Sequence, residues 1–442
     1  MPFFNAHKVS NNADDLDLTE GIGDQNIFSF LAAIFIGASV PLVCSSPTMM
    51  AIASILALIF ITISPGTKIL IKQLFKNLKS PLALMIVILF LSWAPSMIDS
   101  VDFEKSASVW VRTLFFIFIA TVFFTFLKQS LALRKTALRS LIIFSLLSSS
   151  IGIIAIYTYS PLLSLYRIDG LDVLDTLKTL KYYGSVEGCI TVLVICAGFY
   201  LGGVWRYLSL LKCILGILLI IEVDSDSGIL ALIVASIACS VIIFENKVSK
   251  ERSSSKGIFL ILIAAATIFF LLIAKLPDIP NLEYINNKTY DEVLNPSISV
   301  EYVDTHRQYI WAFALNLALD SPVIGHGIDV SNYLPKADIV VSQFNQAFIP
   351  GHPHSWFLEL FLEVGVIGLL GLIAVLIFLL FIWLRISRSQ LFISIAGISI
   401  LFAFWSSSMI NFSIWLSWWQ GVFLIITAIA FSFVPTKSLL SR

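Results

Sequence analysis

Long apolar runs dominate the chain, and short polar segments separate them. A helix that crosses a bilayer needs about 20 apolar residues. Twelve runs come near that length: 27–45, 48–64, 81–97, 107–127, 138–157, 187–204, 207–222, 227–244, 257–276, 355–383, 390–409 and 415–434. The pattern predicts an all-α polytopic membrane protein with about 12 transmembrane helices. Two polar connections are long, 158–186 and 277–354. The second lies between helices 9 and 10 and is too long for a structureless link. Within it, 305–319 reads as a helix. Thr305 and Gln308 form a capping box, Ile310, Phe313, Ala314, Leu317 and Ala318 make one apolar face, and Asp320, Ser321 and Pro322 end it. This helix is expected at the membrane surface or against the bundle.

Composition agrees. Of 442 residues, 58% are hydrophobic and 13% charged, whereas soluble domains are about a quarter charged. The net charge is zero and no basic stripe stands out, which argues against nucleic acid as a partner. The five cysteines lie in or beside apolar runs without metal-ligand spacing, and read as small buried hydrophobes. The first 25 residues are polar and acidic, with no basic region or cleavage site, so they read as a tail and not a signal peptide.

Lys and Arg set the orientation. With a cytoplasmic N-terminus, alternate connections carry most of the basic residues, including Lys68, Lys72, Lys76, Lys79, Lys128, Arg134, Arg206, Lys212 and Arg385. The other connections hold acids such as Asp99, Asp102, Glu104, Asp224 and Asp226. The expected organisation is a cytoplasmic tail (1–26), helices 1–9 (27–276), a large outer loop (277–354), helices 10–12 (355–434) and a cytoplasmic tail (435–442).

Candidate chemistry concentrates in the large loop, which holds four of the five histidines: His306, His326, His352 and His354. His354 immediately precedes a membrane helix, so its imidazole sits at the water boundary, either as a proton acceptor or bonded to a backbone carbonyl. His352 is the secondary candidate. Arg307, on the loop helix, offers a planar fork suited to phosphate oxygens, or a charge stacked on Trp311. Arg112, inside the fourth run, is a functional residue or one that snorkels outward. Arg167 is an exposed loop arginine. Asp224 and Asp226 form a D-x-D that either solvates a helix end or holds a divalent cation. Glu359 and Glu363, one turn apart, either orient a histidine or bond within the bundle. No Gly-rich phosphate loop, zinc spacing or serine nucleophile elbow occurs, which argues against ATP-driven transport and ordinary hydrolysis.

The stretch GHPHSWFLELFLEVGVIGLLG, with RQYIWAFALNLALDSPVIGHG upstream, resembles the signature of the O-antigen ligase and O-antigen polymerase superfamily. Arg307, Trp311, Pro322, Gly325, Gly327 and His354 carry the resemblance, over roughly 305–372. It implies a glycosyltransferase of the bacterial inner membrane, with a periplasmic active site. The donor would be an undecaprenyl-diphosphate-linked glycan and, for a ligase, the acceptor lipid A core, with no cofactor or metal. By resemblance, His354 is the catalytic base and Arg307 a diphosphate ligand. The family's Ser-Arg-Gly arginine is missing, since Asp224-Ser225-Asp226-Ser227-Gly228 stands there. Arg112, Arg167 or a metal on the Asp pair would have to substitute. The rivals are a polymerase of the same superfamily, a polar-lipid flippase and a metal-dependent transferase.

Overall fold

The computed structural model describes residues 26–158, 176–248, 256–276, 305–341 and 345–435. Fourteen α-helices occur among the described residues: α1 Ile27–Ser39, α2 Pro47–Ile63, α3 Thr67–Asn77, α4 Pro81–Ile98, α5 Phe103–Lys128, α6 Leu131–Thr158, α7 Thr176–Leu201, α8 Val204–Glu222, α9 Asp226–Val248, α10 Lys256–Ile273, α11 Thr305–Asp320, α12 Trp356–Ile386, α13 Leu391–Ser407 and α14 Ser417–Phe431. Eight of them are long and apolar enough to cross a membrane. Every expected run falls on a helix. Three are short (α1, α13 and α14), and α2 and α3 are bent from each other by 112°. Residues 1–25 and 436–442 of the expected tails, and Arg167, lie outside the described residues.

Local chemistry sets the helix starts. Ser46 and Ser80 cap α2 and α4, each followed by a proline at the first helical position, and Asp102 caps α5 by accepting from Lys105 N at 2.9 Å. Serines and threonines inside the helices bond back to carbonyls, as Ser145 does to Leu141 and Thr113 to Val109. Their hydroxyls are thereby satisfied without water.

The helices bury one stripe in the bundle and leave Leu84, Leu91, Phe118, Ile214 and Leu260 exposed, as a lipid-facing surface requires. Where α7 and α9 meet, backbones replace side chains. A Cβ on Gly188 would lie 2.5 Å from the Gly228 carbonyl, and one on Gly184 would lie 2.7 Å from Ser225 Cβ. Lys212 is not in a polar connection, as its charge suggested. It is fully buried on α8, paired with Glu187 of α7, and bonds Thr191 at 3.1 Å. Ser149 of α6 donates to the same glutamate at 2.6 Å. A charge is tolerable at such depth only with a partner, so this pair ties three helices at one register.

The loop helix α11 forms where expected but is not amphipathic. Tyr309, Trp311 and Ala312 are buried along with the expected face. One side packs Ile310 and Trp311 on Leu358 of α12. The other packs Tyr309, Phe313 and Leu317 under Leu334, Val341 and Phe348. The following segment folds over it, ending in a two-residue hairpin, β1 Val340–Val341 with β2 Gln346–Ala347. A period read from sequence shows one buried face and has no access to the cover a distant loop supplies.

One break organises the loop end. Gly365, inside α12, has φ +63° and ψ −171°, a conformation open essentially to glycine alone. The interrupted helix is sealed by the segment after α11. His326 and Gly327 donate to the Leu362 and Glu363 carbonyls at 3.1 and 2.9 Å, and Val366 and Ile367 donate to the Pro322 and Val323 carbonyls at 2.9 and 3.2 Å. Backbone meets backbone here. A Cβ on Gly365 would lie 2.4 Å from the Val323 carbonyl. Gly365→Ala should therefore lower stability by about 3 kcal/mol or more, while Gly351→Ala, with nothing near its Cβ, should stay within about 0.5 kcal/mol of wild type. Thermal melts of the purified protein in detergent would compare them; equal melting temperatures would show that the break does not depend on glycine.

Candidate active site

Three segments converge at the loop end: residues 351–355 before α12, residues 408–416 between α13 and α14, and the tips of α7 and α9. The Trp356 amide donates to the Ser408 carbonyl at 3.0 Å, and Trp311 Nε1 of α11 donates to the Pro353 carbonyl at 3.0 Å. These bonds hold the His-Pro-His turn from both sides.

His354 sits at φ +55°, a left-handed conformation that costs a non-glycine residue on the order of 1 kcal/mol. The turn offsets this locally: the His354 amide donates to His352 Nδ1 at 3.1 Å, and the two rings lie 4.1 Å apart. Burial, and then the neighbouring His354, push the His352 pKa down to about 3. His352 is thus a neutral acceptor that shapes the turn. His354 Nδ1 lies 3.2 Å from the Asn411 carbonyl oxygen. The Asn411 side-chain amide in turn donates to Ser185 of α7 at 2.9 Å and to Ser227 of α9 at 2.8 Å, and those two hydroxyls are bonded at 2.7 Å.

The other loop histidines belong elsewhere. His326 Nε2 bonds the Leu317 carbonyl at 2.8 Å and His306 Nε2 lies 3.5 Å from the Ala347 carbonyl, so both staple the loop. The expected cluster of four is therefore one pair and two fasteners.

The acidic motif also resolves differently. Asp224 and Asp226 are exposed, whereas Ser225 and Ser227 between and after them are buried. Alternate residues point to opposite sides of the turn, and the serines face the histidine turn. Ser225 Oγ donates to the Lys181 carbonyl at 3.3 Å, and Lys181 Nζ lies 4.0 Å from Asp224, at the mouth of the same cluster. Lys181, Ser185, Ser227 and Asn411 were not singled out from sequence. Serine, lysine and asparagine near helix ends are too common to signal a site, and only the packing of α7, α9 and residues 408–416 assembles them.

Arg307 lies on the first turn of α11, four residues before Trp311 and hence on the same face. It is partly buried and pairs with no carboxylate among the described residues. Arg112 belongs to a second polar group, away from the histidines. Its Nη2 donates to the Trp415 carbonyl at 2.6 Å. Glu363 accepts there from the Asp329 and Ser331 amides, at 2.8 and 3.0 Å, and from Trp415 Nε1. Glu359 accepts from the Ile414 amide at 3.0 Å. Both glutamates therefore bond within the bundle and brace residues 408–416. Asp329, at φ +57°, pairs with Lys105 at 3.7 Å. Burial raises the Asp329 pKa, and Lys105 and Arg112 oppose that rise.

Beside this second group opens a lipid-side groove of about 1130 Å³ between α3, α4, α5, α12 and α14. It runs from Trp93, Thr113 and Gln420 near the loop end to Lys76 and Lys128 at the opposite end, with mostly apolar walls.

Residues 211–373 match the family model described as O-antigen ligase. Proteins named "Putative polysaccharide ligase" are similar over shorter stretches. The one from Rickettsia conorii is 35% identical over 66 residues, 14% of this chain and 16% of the relative. That from Rickettsia typhi is 25% identical over 140 residues, 29% of this chain and 34% of the relative. That from Rickettsia felis is 26% identical over 126 residues, 27% and 30%. The chain thus spans about a third or less of the length of these relatives.

The neutral state of His352 has a consequence for stability. Its folded pKa lies below its unfolded value, so stability is full above about pH 6.5 and falls as pH drops toward 3, where the unfolded chain binds a proton that the folded one does not. Between pH 7.5 and 5 this group alone should cost on the order of 1–2 kcal/mol. His352→Asn, which keeps an acceptor near the Nδ1 position, should flatten the decline in detergent melts. Parallel curves for the two proteins would mean that His352 takes a proton in the fold.

Proposed function

We propose that this chain, whose residues 211–373 match the O-antigen ligase family model, is an O-antigen ligase. It would move a glycan from an undecaprenyl-diphosphate carrier to a sugar hydroxyl of lipid A core. The reaction would occur on the periplasmic side of the bacterial inner membrane. The observation that carries the reading is His354, held at the loop end of a membrane helix with Nδ1 on a main-chain carbonyl. A carbonyl only accepts, so Nδ1 carries the proton and Nε2 is the basic nitrogen.

In this reading the acceptor hydroxyl attacks the anomeric carbon as His354 takes its proton. The bond to the diphosphate oxygen breaks, and the carrier leaves as undecaprenyl diphosphate. Direct displacement inverts the anomeric configuration. Negative charge grows on the leaving diphosphate, and Arg307, with no carboxylate partner among the described residues, is suited to stabilise it. Arg167 remains a second candidate for that role. Arg112 is less suited, because its guanidinium is engaged by Trp415 in the other polar group. The carrier is already activated, so neither ATP nor a metal is required. The apolar groove beside α5 and α12 offers a place for a polyprenyl tail.

Expression in a host lacking its own ligase tests the reading through lipopolysaccharide banding. The wild type should restore the ladder, and His354→Ala and Arg307→Ala, at equal membrane levels, should each reduce it by about 100-fold or more. A His354→Ala protein that restores the ladder would overturn the mechanism. A wild type that leaves only core lipid, but restores long chains in a polymerase-deleted host, would replace the ligase reading with a polymerase.

A further inference from the structure

The serine–asparagine cluster has a chemical consequence for His354. Asn411 lies in residues 408–416, between α13 and α14, just past the turn that ends α13 with Ile410 N on the Ser407 carbonyl. Its side chain is fixed by two acceptors on two different helices, Ser185 and Ser227, at 2.9 and 2.8 Å. Both serines are fully or nearly fully buried, and each is bonded to the other. An amide donating to two buried hydroxyls has one orientation, and that orientation sets where its own main-chain carbonyl points. The carbonyl meets His354 Nδ1 at 3.2 Å. An imidazole whose partner only accepts is held in one tautomer and one ring orientation.

We propose that Asn411 is a positioning residue for His354: its carbonyl holds the Nδ1–H tautomer, so that Nε2 is the base, and its amide, clamped between α7 and α9, keeps that carbonyl in place. The inference rests on the reading of His354 as the proton acceptor. It also gives the turn at Asp224–Gly228 a role through its serines. The titratable groups on the elements that meet here include His352 on the same turn, Glu359 and Glu363 on α12, Arg307 on α11, Lys181 and Glu187 on α7, and Asp224 and Asp226 at the start of α9.

The test combines a spectroscopic and a kinetic readout on full-length protein in nanodiscs. With ¹⁵N-histidine labelling, the His354 signal is assigned by its loss in His354→Gln. In the wild type above the histidine titration it should show Nδ1–H. In Asn411→Ala it should move toward the Nε2–H form. With undecaprenyl-diphosphate-linked O-antigen and rough lipopolysaccharide as substrates, Asn411→Ala should lower kcat by about 10- to 100-fold and leave the donor KM within about threefold. Asn411→Asp can accept from both serine hydroxyls once these give up the bond to each other, and so keeps a clamp to α7 and α9. Its charge near His354 should move the acid limb of the pH–rate profile to higher pH, with turnover recovering above it.

An Nε2–H tautomer in the wild type would overturn the proposal. So would wild-type kcat in Asn411→Ala, or equal loss in the Ala and Asp variants together with lower melting temperatures, which is the mark of a purely structural residue. If His354→Gln turns over like the wild type, the reading of His354 as base fails and this inference falls with it. If His354→Gln is inactive while both Asn411 variants match the wild type in rate and pH profile, this inference alone fails.

Discussion

A membrane helix cannot leave backbone groups unpaired, and α12 is broken at Gly365. Everything at the loop end follows from how that break is closed. The segment Pro322–Gly327 supplies two amides to the carbonyls before the break and two carbonyls to the amides after it. The donor and acceptor counts match, so a soluble loop becomes part of a membrane helix. That splice brings Asp329 and Ser331 to Glu363 and presses α11 onto the start of α12. Trp311 then reaches Pro353 and holds the histidine turn.

Two polar groups flank residues 408–416 and have different characters. On one side, Glu363 and Arg112 bond main-chain groups and Asp329 pairs with Lys105. This side braces, because Glu363 of α12 and Arg112 of α5 tie down main-chain groups of Asp329, Ser331 and Trp415. On the other, His354 meets the Asn411 main-chain carbonyl, and the Asn411 side chain bonds Ser185 and Ser227. The Glu187–Lys212 pair is a third arrangement, with both charges fully buried and satisfied by each other and by two hydroxyls, in helices remote from the histidines along the chain. Its fit is to helix register and not to chemistry.

Much was legible in the chain itself. Apolar run length is set by bilayer thickness, and the expected runs became helices. The loop helix was readable from its apolar positions and stop residues. His354, beside the start of α12, stood out because a titratable group at a membrane boundary is unusual. The motif positions Pro322, Gly325 and Gly327 stood out through resemblance, but their purpose did not. A glycine in a sequence marks a permissive backbone without saying which strand of chain approaches it.

Long-range contact decided the rest. The D-x-D at Asp224 and Asp226 drew attention because carboxylates carry obvious chemistry, yet the turn places them in solvent and buries the serines. Four loop histidines looked like one cluster because they are close in sequence, and two proved to be bonded to loop carbonyls. Asn411, Ser185 and Ser227 are separated by 226 and 184 positions from their partners, and no local pattern links them. Hydrophobic length is a property of the chain, so the sequence by itself determined the membrane helices and the boundary at which chemistry is possible. Hydrogen-bond partners are chosen by whichever groups packing leaves side by side, so only the tertiary structure decided which polar residues surround His354.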